Sequence, residues 1–325
     1  MNSIKKSKKI VLLKSYGSEK DGFGHISRCI SLIKTLPADW RGIFVVNNNK
    51  ILEKYLLKYD IDFIYDFPSY NIDIIIIDQF KKDVGLTKKL KEIYRCPIVR
   101  LDYFNYTNYN VDTIINLFNH SDKNPLQSRI ANYYEGLEFA IIAPRFSKYL
   151  DKFKPVSNID KLLVMMGGSD PGLITCKILN FFSRYSKQLH IDVIIGPLSS
   201  FENEIRKQAL QSSHNIKLYK NPTELPHLMA NAHMAISGCG TTFFELSFLG
   251  TPAIVLAQNQ MEHRFCEYLE KKELCCFAKN DLNVAWETMN DQYRRKKFIE
   301  RQLNIFDGKG LLRIQKAIGI IEPDK

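Results

Sequence analysis

A lone histidine sits among glycines in the stretch Gly22-Phe23-Gly24-His25-Ile26-Ser27-Arg28. Imidazole gives or takes a proton near neutral pH, so His25 is a candidate general acid or base. Glycines beside it let a ligand approach the backbone, and the free N–H groups that open a helix favour an anion. Two further stretches offer related chemistry. Met166-Gly167-Gly168-Ser169-Asp170-Pro171 can present backbone amides and the Ser169 hydroxyl to a diphosphate or ribose. Equally, it can be a tight turn that caps a helix. In Ser237-Gly238-Cys239-Gly240-Thr241-Thr242-Phe243-Phe244-Glu245, the glycines and the Ser237, Thr241 and Thr242 hydroxyls suit a pyrophosphate at a helix start. Glu245, one turn in, can accept hydrogen bonds from a ribose diol; the plain alternative is a capped helix with an exposed glutamate. Further on, Gln258-Asn259-Gln260 places side-chain amides that can read polar groups of a nucleotide or sugar, a plain polar loop being the commoner explanation of such a stretch. None of these loops matches a Walker A or a full GxGxxG pattern, so they carry weight only together.

These residues need elements to hold them. Lys9–Lys14 is an apolar run that reads as a buried first strand, and Ile26, Cys29, Ile30, Ile33 and Leu36 then recur at helical spacing until Pro37. Strand-like runs follow at 43–46, 63–65, 72–78, 98–102 and 113–116, with helical stretches near 51–57 and 86–94. The run Ile72-Asp73-Ile74-Ile75-Ile76-Ile77-Asp78 suits a central parallel strand covered on both faces. Lys152–Asn158 reads as a linker, after which strands recur at 162–166, 191–195, 216–219, 234–236 and 253–256. Such β/α alternation predicts two doubly wound α/β domains of about 150 residues each, with ligand at the carboxyl ends of the strands, in a cleft between them.

At 325 residues the chain has room for two cores, and 45% apolar with 25% charged residues is ordinary for a globular protein. No run of about 18 apolar residues predicts a membrane span, and no signal-peptide pattern follows the basic N-terminus. The seven cysteines include no CxxC pair, so neither a zinc site nor a disulfide framework is expected. Reduced thiols and a cytoplasmic location are expected instead. The net charge of +11 reads as scattered surface lysines rather than a nucleic-acid site, since no nucleic-acid module appears. Its densest basic run, Arg294-Arg295-Lys296-Lys297, falls in a late helical segment.

Taken in order, GFGHISR at 22–28, MGGSDP at 166–171, SGCGTTFFEL at 237–246, LGTP at 249–252 and NQ at 259–260 resemble one family. It is the nucleotide-sugar hydrolase of pseudaminic acid biosynthesis with its relatives among spore-coat polysaccharide proteins. That family is similar to the GT-B glycosyltransferases, notably the transferase that adds N-acetylglucosamine in peptidoglycan synthesis. Tyr134–Ala140 also fits the family's entry to its interdomain linker.

The resemblance implies a GT-B-like chain: a first domain over 1–152 with the catalytic loop, a second over 158–307 that binds the donor, and a C-terminal helix and tail over 308–325. It implies a hydrolase that needs no metal or cofactor and cleaves a UDP-linked amino- or deoxy-sugar with inversion, His25 being the general base. The family's UDP contacts would map to Ser237, Gly240, Thr241, Thr242, Glu245 and Asn259. To these our own reading of the residues adds Gly22, Gly24, Gly168, Ser169 and Gln260 as substrate contacts, with Arg28 and Lys14 helping to neutralise phosphate. The chain departs from the family at Asp78-Gln79-Phe80, where Asp-His-Tyr is usual, and at Asp102-Tyr103, where two aspartates are usual. A different sugar, an inverting glycosyltransferase with the same donor, or a binding protein without catalysis therefore stand as alternatives. A membrane surface enters as a partner only for the transferase.

Overall fold

The computed structural model describes residues 8–15, 24–47, 49–78, 83–102, 110–117, 132–152, 156–279 and 281–322. The chain divides into two compact units. One holds the first strand, His25–Ile141 and the stretch from Lys309 on; the other holds Ile142–Gly308 together with Gly24, the first residue of the helix that otherwise belongs to the first unit.

The first unit runs β1 (Lys9–Ser15), α1 (Gly24–Lys34), β2 (Trp40–Val45), α2 (Lys50–Lys58), β3 (Phe63–Ile64), β4 (Ile74–Asp78), α3 (Val84–Ile93), β5 (Ile98–Asp102), β6 (Thr113–Asn116) and β7 (Asn132–Glu135). Its strands lie in the order β3-β2-β1-β4-β5-β6-β7, and all neighbours are parallel. Every residue of β4 is buried, as a central parallel strand requires. Gly42 in β2 gives α1 its room, because a Cβ there would lie 2.5 Å from Ile33 Cγ1. The sequence pattern missed β7: Asn-Tyr-Tyr-Glu is a partly exposed edge strand without an apolar run.

The second unit runs β8 (Lys161–Met165), α4 (Ile174–Phe182), β9 (His190–Ile195), α5 (Glu202–Leu210), β10 (Asn215–Lys220), α6 (Leu225–Asn231), β11 (Met234–Gly238), α7 (Thr241–Leu249), β12 (Ala253–Leu256), α8 (Gln260–Lys271), β13 (Cys276–Phe277), α9 (Leu282–Asn290) and α10 (Gln292–Ile305). Its parallel order is β10-β9-β8-β11-β12-β13. The two-residue β13 was also too short to be read from the sequence. A 3-10 helical stretch, Pro144–Lys152, packs on α6 and α7 within this unit.

Apolar on nearly every side, α7 is buried on every side: Phe243 packs edge-on to Phe306, and Phe244 stacks on it. Gly250, at φ +74°, ends the helix in the left-handed conformation that glycine adopts without steric cost. Thr251 Oγ1 then donates to the Met229 carbonyl, so the LGTP motif is accounted for by helix termination. The last helix, α11 (Gly310–Ala317), belongs to the first unit. Arg313 donates to the Glu138 carbonyl at 3.0 Å and Gln315 to that of Thr35 at 3.1 Å. A Cβ on Gly310 would lie 2.0 Å from the Ala140 oxygen, so only glycine fits that approach.

In both sheets the chain starts at the centre, runs to one edge, then returns to the centre and runs to the other. The reversal leaves a crevice at the carboxyl ends of β1 and β4 in one unit, and of β8 and β11 in the other.

Candidate active site

In the first unit the crevice is filled from α1 and β4. The last residue of β4, Asp78, is wholly buried. His25, at the start of α1, places Nδ1 2.5 Å from Asp78 Oδ1. Arg28, one turn later, gives the same carboxylate two hydrogen bonds, from Nε and Nη2. Cys29 Sγ adds a third residue, donating to Oδ2 at 3.4 Å. Burial alone would raise the Asp78 carboxyl. The Arg28 guanidinium, then His25, overcome it and hold the group far below the usual carboxylate range. An ionised Asp78 only accepts and Arg28 only donates, so Nδ1 carries a proton and gives it to Asp78. The Arg28 Nη2, 2.9 Å from Nδ1, shares that carboxylate oxygen rather than bonding the ring. With Nδ1 protonated, the basic lone pair of the imidazole is on Nε2. This is the arrangement of a general base with an orienting carboxylate.

The sequence singled out His25 and Arg28 but not Asp78 as their partner. The available signal was an acid that closes an isoleucine run at a strand's carboxyl end. Arg28 is buried with its charge committed to Asp78. Lys14 is half-buried; burial lowers its pKa, partly offset by Asp66 and by Asp83, the N-cap of α3. Gly24 opens α1, while Gly22, Gln79, Phe80 and Tyr103 lie outside the described residues.

In the second unit, three loops after parallel strands converge. Built in place, a Cβ on Gly167 would lie 3.6 Å from Gln258 Nε2, and one on Gly238 3.1 Å from it. Gln258 thus joins the loops after β8, β11 and β12, although sequence reasoning had weighted Asn259 and Gln260 instead. Its Oε1 is buried and has no hydrogen-bond partner among the described residues. Gly168 and Ser169 lie in the first of these loops, with the Gly168 carbonyl accepting from Leu198 N and Ser169 buried. Asp170 caps the helix beyond, accepting from the amides of Ile174 and Thr175 at 2.8 and 3.0 Å.

The Ser237 hydroxyl is buried and turned onto the Gly238 carbonyl at 3.1 Å. Gly240 is the N-cap of α7, and a Cβ there would meet nothing within 4 Å among the described residues. Thr241 and Thr242 open α7, Thr242 being buried. Glu245 is buried, not the exposed glutamate of the plain alternative. Burial pushes its carboxyl up to about 7, with the field of Arg145 opposing. Asn259 is the N-cap of α8, accepting from Glu262 N at 2.9 Å, and Gln260 is exposed. Glu262 accepts from Gln258 N at 2.9 Å, and burial raises it to about 7 as well. The crevice therefore offers helix-start amides, one open glycine face and carboxyl groups poised near neutrality. Among the described residues, no three His, Cys, Asp or Glu side chains gather as a metal site.

No protein-family model matches the chain. It is similar to "Uncharacterized protein MJ1062" of Methanocaldococcus jannaschii, 27% identical over 93% of this chain, of whose length the match spans 64%. It is also similar to the spore coat polysaccharide biosynthesis protein SpsG of Bacillus subtilis, 23% identical over 76% of each chain. Among solved structures, MurG of Acinetobacter baumannii superimposes with a TM-score of 0.63 at 10% identity, over 96% of this chain and all of the other. Anabaena HepE, solved with UDP and glucose, gives 0.59 at 14% identity, covering 95% and 98%. The UDP-GlcNAc 2-epimerase of Neisseria meningitidis, bound to UDP-GlcNAc, gives 0.59 at 13%, covering 95% and 99%. The fold is the GT-B fold of glycosyltransferases and epimerases, as the sequence led us to expect.

Proposed function

We propose that the protein hydrolyses a UDP-linked amino- or deoxy-sugar, releasing UDP and free sugar with inversion, in the synthesis of a surface polysaccharide or nonulosonic acid. The observation that carries this reading is the His25–Asp78 pair at the reversal point of the first sheet. Its chemistry is proton abstraction at Nε2. Water attacks the anomeric carbon from the face opposite the leaving group while His25 takes its proton. The bond from that carbon to the β-phosphate oxygen breaks, and its electron pair leaves on UDP. Asp78 stabilises the imidazolium as it forms, and Arg28 keeps Asp78 ionised throughout.

The second crevice would hold the nucleotide: pyrophosphate against the amides at the start of α7, with Gly240 leaving the approach open, and ribose hydroxyls on Glu245. Support comes from the similar structures, among them one solved with UDP and glucose and one bound to UDP-GlcNAc, and from the similar protein of spore coat polysaccharide biosynthesis.

The same base serves a hydroxyl acceptor as well as water. The departure at Gln79-Phe80 favours that second reading, an inverting transferase. An acceptor-free incubation with UDP-linked diacetamido-trideoxyhexoses, followed by NMR, separates them. Free sugar of inverted configuration from the native protein, and none from His25→Ala, is the expected result. UDP binding without release of sugar would favour the transferase, and binding with no turnover on any donor and acceptor a binding protein. Equal activity of the variant would remove His25 from the reaction.

A further inference from the structure

The basic run Arg294-Arg295-Lys296-Lys297 has no part in the function above, and the structure separates its members. Arg295 turns inward: it is buried and donates to the carbonyls of Met289, Val156 and Ser157 at 2.6–2.8 Å. Lys296 faces Glu300 at 3.9 Å, one turn along α10. Arg294 and Lys297 instead line a cavity of 880 Å³ in the second unit, beside the edge strand β13. Phe277, Phe298, Val284 and Tyr293 supply its apolar wall. Tyr293 and Val284 are exposed large hydrophobic residues, 65% and 59% accessible, on two consecutive helices.

The carboxylates of this cavity are largely occupied. Asp281 caps α9 and Asp291 caps α10, each accepting backbone amides from 2.8 Å. Glu273 is paired with Arg301, and Glu270 with Lys279 at 3.3 Å. Two cations remain weakly used. Arg294 Nε is 3.9 Å from Asp291, beyond hydrogen-bond reach. Lys297 Nζ lies 4.5 Å from the Tyr293 ring centroid, and among the described residues no carboxylate comes within 4 Å of it. Two loosely held cations, Arg294 beside Asp291 and Lys297 over the Tyr293 ring, thus line one cavity with that ring, on positions i, i+1 and i+4 of one helix. Aromatic and aliphatic walls favour a planar ring by stacking, and the cations favour a phosphate.

We propose that this cavity is a second ligand site, taking a small phosphorylated compound with a planar ring, of the nucleoside monophosphate kind. Its ring rests against Tyr293 and the apolar wall, and its phosphate pairs with Lys297 and Arg294. The site is separate from the crevice between β8 and β11 and does not depend on the function proposed for it.

The test places a reporter at the cavity. Tyr293→Trp keeps an aromatic ring there, and its emission is followed against UMP, with the native protein as background. A saturable change is expected. Adding Lys297→Glu should raise the apparent Kd at least about tenfold, the loss of one charge-assisted phosphate bond. Lys297→Gln should do so less, and Glu245→Ala should leave the response in place. A circular dichroism melt shows that each variant is folded. No saturable response, the same response after Lys297→Glu, or inorganic phosphate matching UMP would each overturn the proposal. If the UDP-sugar reading fails, turnover and UDP binding at the other crevice fail while this emission response persists.

Discussion

Asp78 and Glu245 are both buried acids beside a sheet's reversal point, yet their protonation differs in sign. Burial raises both. At Asp78 a guanidinium, an imidazole and a thiol converge on the carboxylate, and the pKa falls far below normal. At Glu245 the field of Arg145 opposes burial without overcoming it, and the carboxyl is raised to about 7. Partners decide the outcome, not depth. The first crevice has spent its charges internally to fix one imidazole, which suits a proton-transfer centre. The second has kept a carboxyl only partly ionised at neutral pH, with an open backbone beside it, which suits a binding surface completed by the ligand's own hydrogen-bond donors.

That division of labour can be broken most directly at His25. His25→Ala should lower turnover of the UDP-sugar by about 10²–10⁴-fold while leaving the Kd for UDP unchanged by calorimetry. A matching loss of UDP affinity would mean the crevices do not divide the work. Next, Asp78→Ala strands the buried Arg28 charge, and denaturant melts should show a loss of roughly 3–5 kcal/mol. A near-neutral result would show that the cluster is not the anchor its geometry indicates.

Glu245 carries the third expectation, with a definite sign. Its folded pKa of about 7 exceeds the ordinary 4.5, so the folded protein keeps a proton that the unfolded chain has lost between those values. Stability without ligand should therefore fall as pH rises across that window, Glu245 contributing roughly 3 kcal/mol, and Glu245→Gln should remove that share while the share of the other raised acid, Glu262, stays. UDP affinity should move the other way, rising about tenfold from pH 6 to 8, because ribose hydroxyls donate to the ionised form. Affinity independent of pH would take Glu245 out of the site.

The smallest effect separates glycines needed for packing from the glycine proposed to face the ligand. Among the described residues a Cβ on Gly240 meets no atom within 4 Å, so Gly240→Ala should cost only the difference between glycine and alanine at an N-cap, about 1 kcal/mol, while UDP binding weakens. Gly196→Ala would drive a methyl to within 2.3 Å of the Gly168 oxygen and displace the loop after β8, costing both stability and binding. Equal behaviour of the two variants would remove Gly240 from the binding surface.

Much of this was legible without coordinates, because it is written in local patterns. The isoleucine run of β4, the glycine loops at strand ends and the helical stripe of α1 fix a doubly wound α/β chain through periodicity alone. The same patterns singled out His25 and Glu245, and they failed only where strands are short or lie at an edge, as β7 and β13 do. What they could not supply is pairing across distance. Asp78 is 53 residues from His25, and only the parallel register of β4 beside β1 brings them together. Gln258 became a member of its crevice only when two glycines 71 residues apart in the chain closed around it. The basic run divided into a structural arginine, a surface lysine and two cavity cations because one helix turns consecutive residues about 100° apart. Sequence determined which groups were available. Tertiary structure decided their charge, since desolvation and ion pairing depend on neighbours that only folding provides.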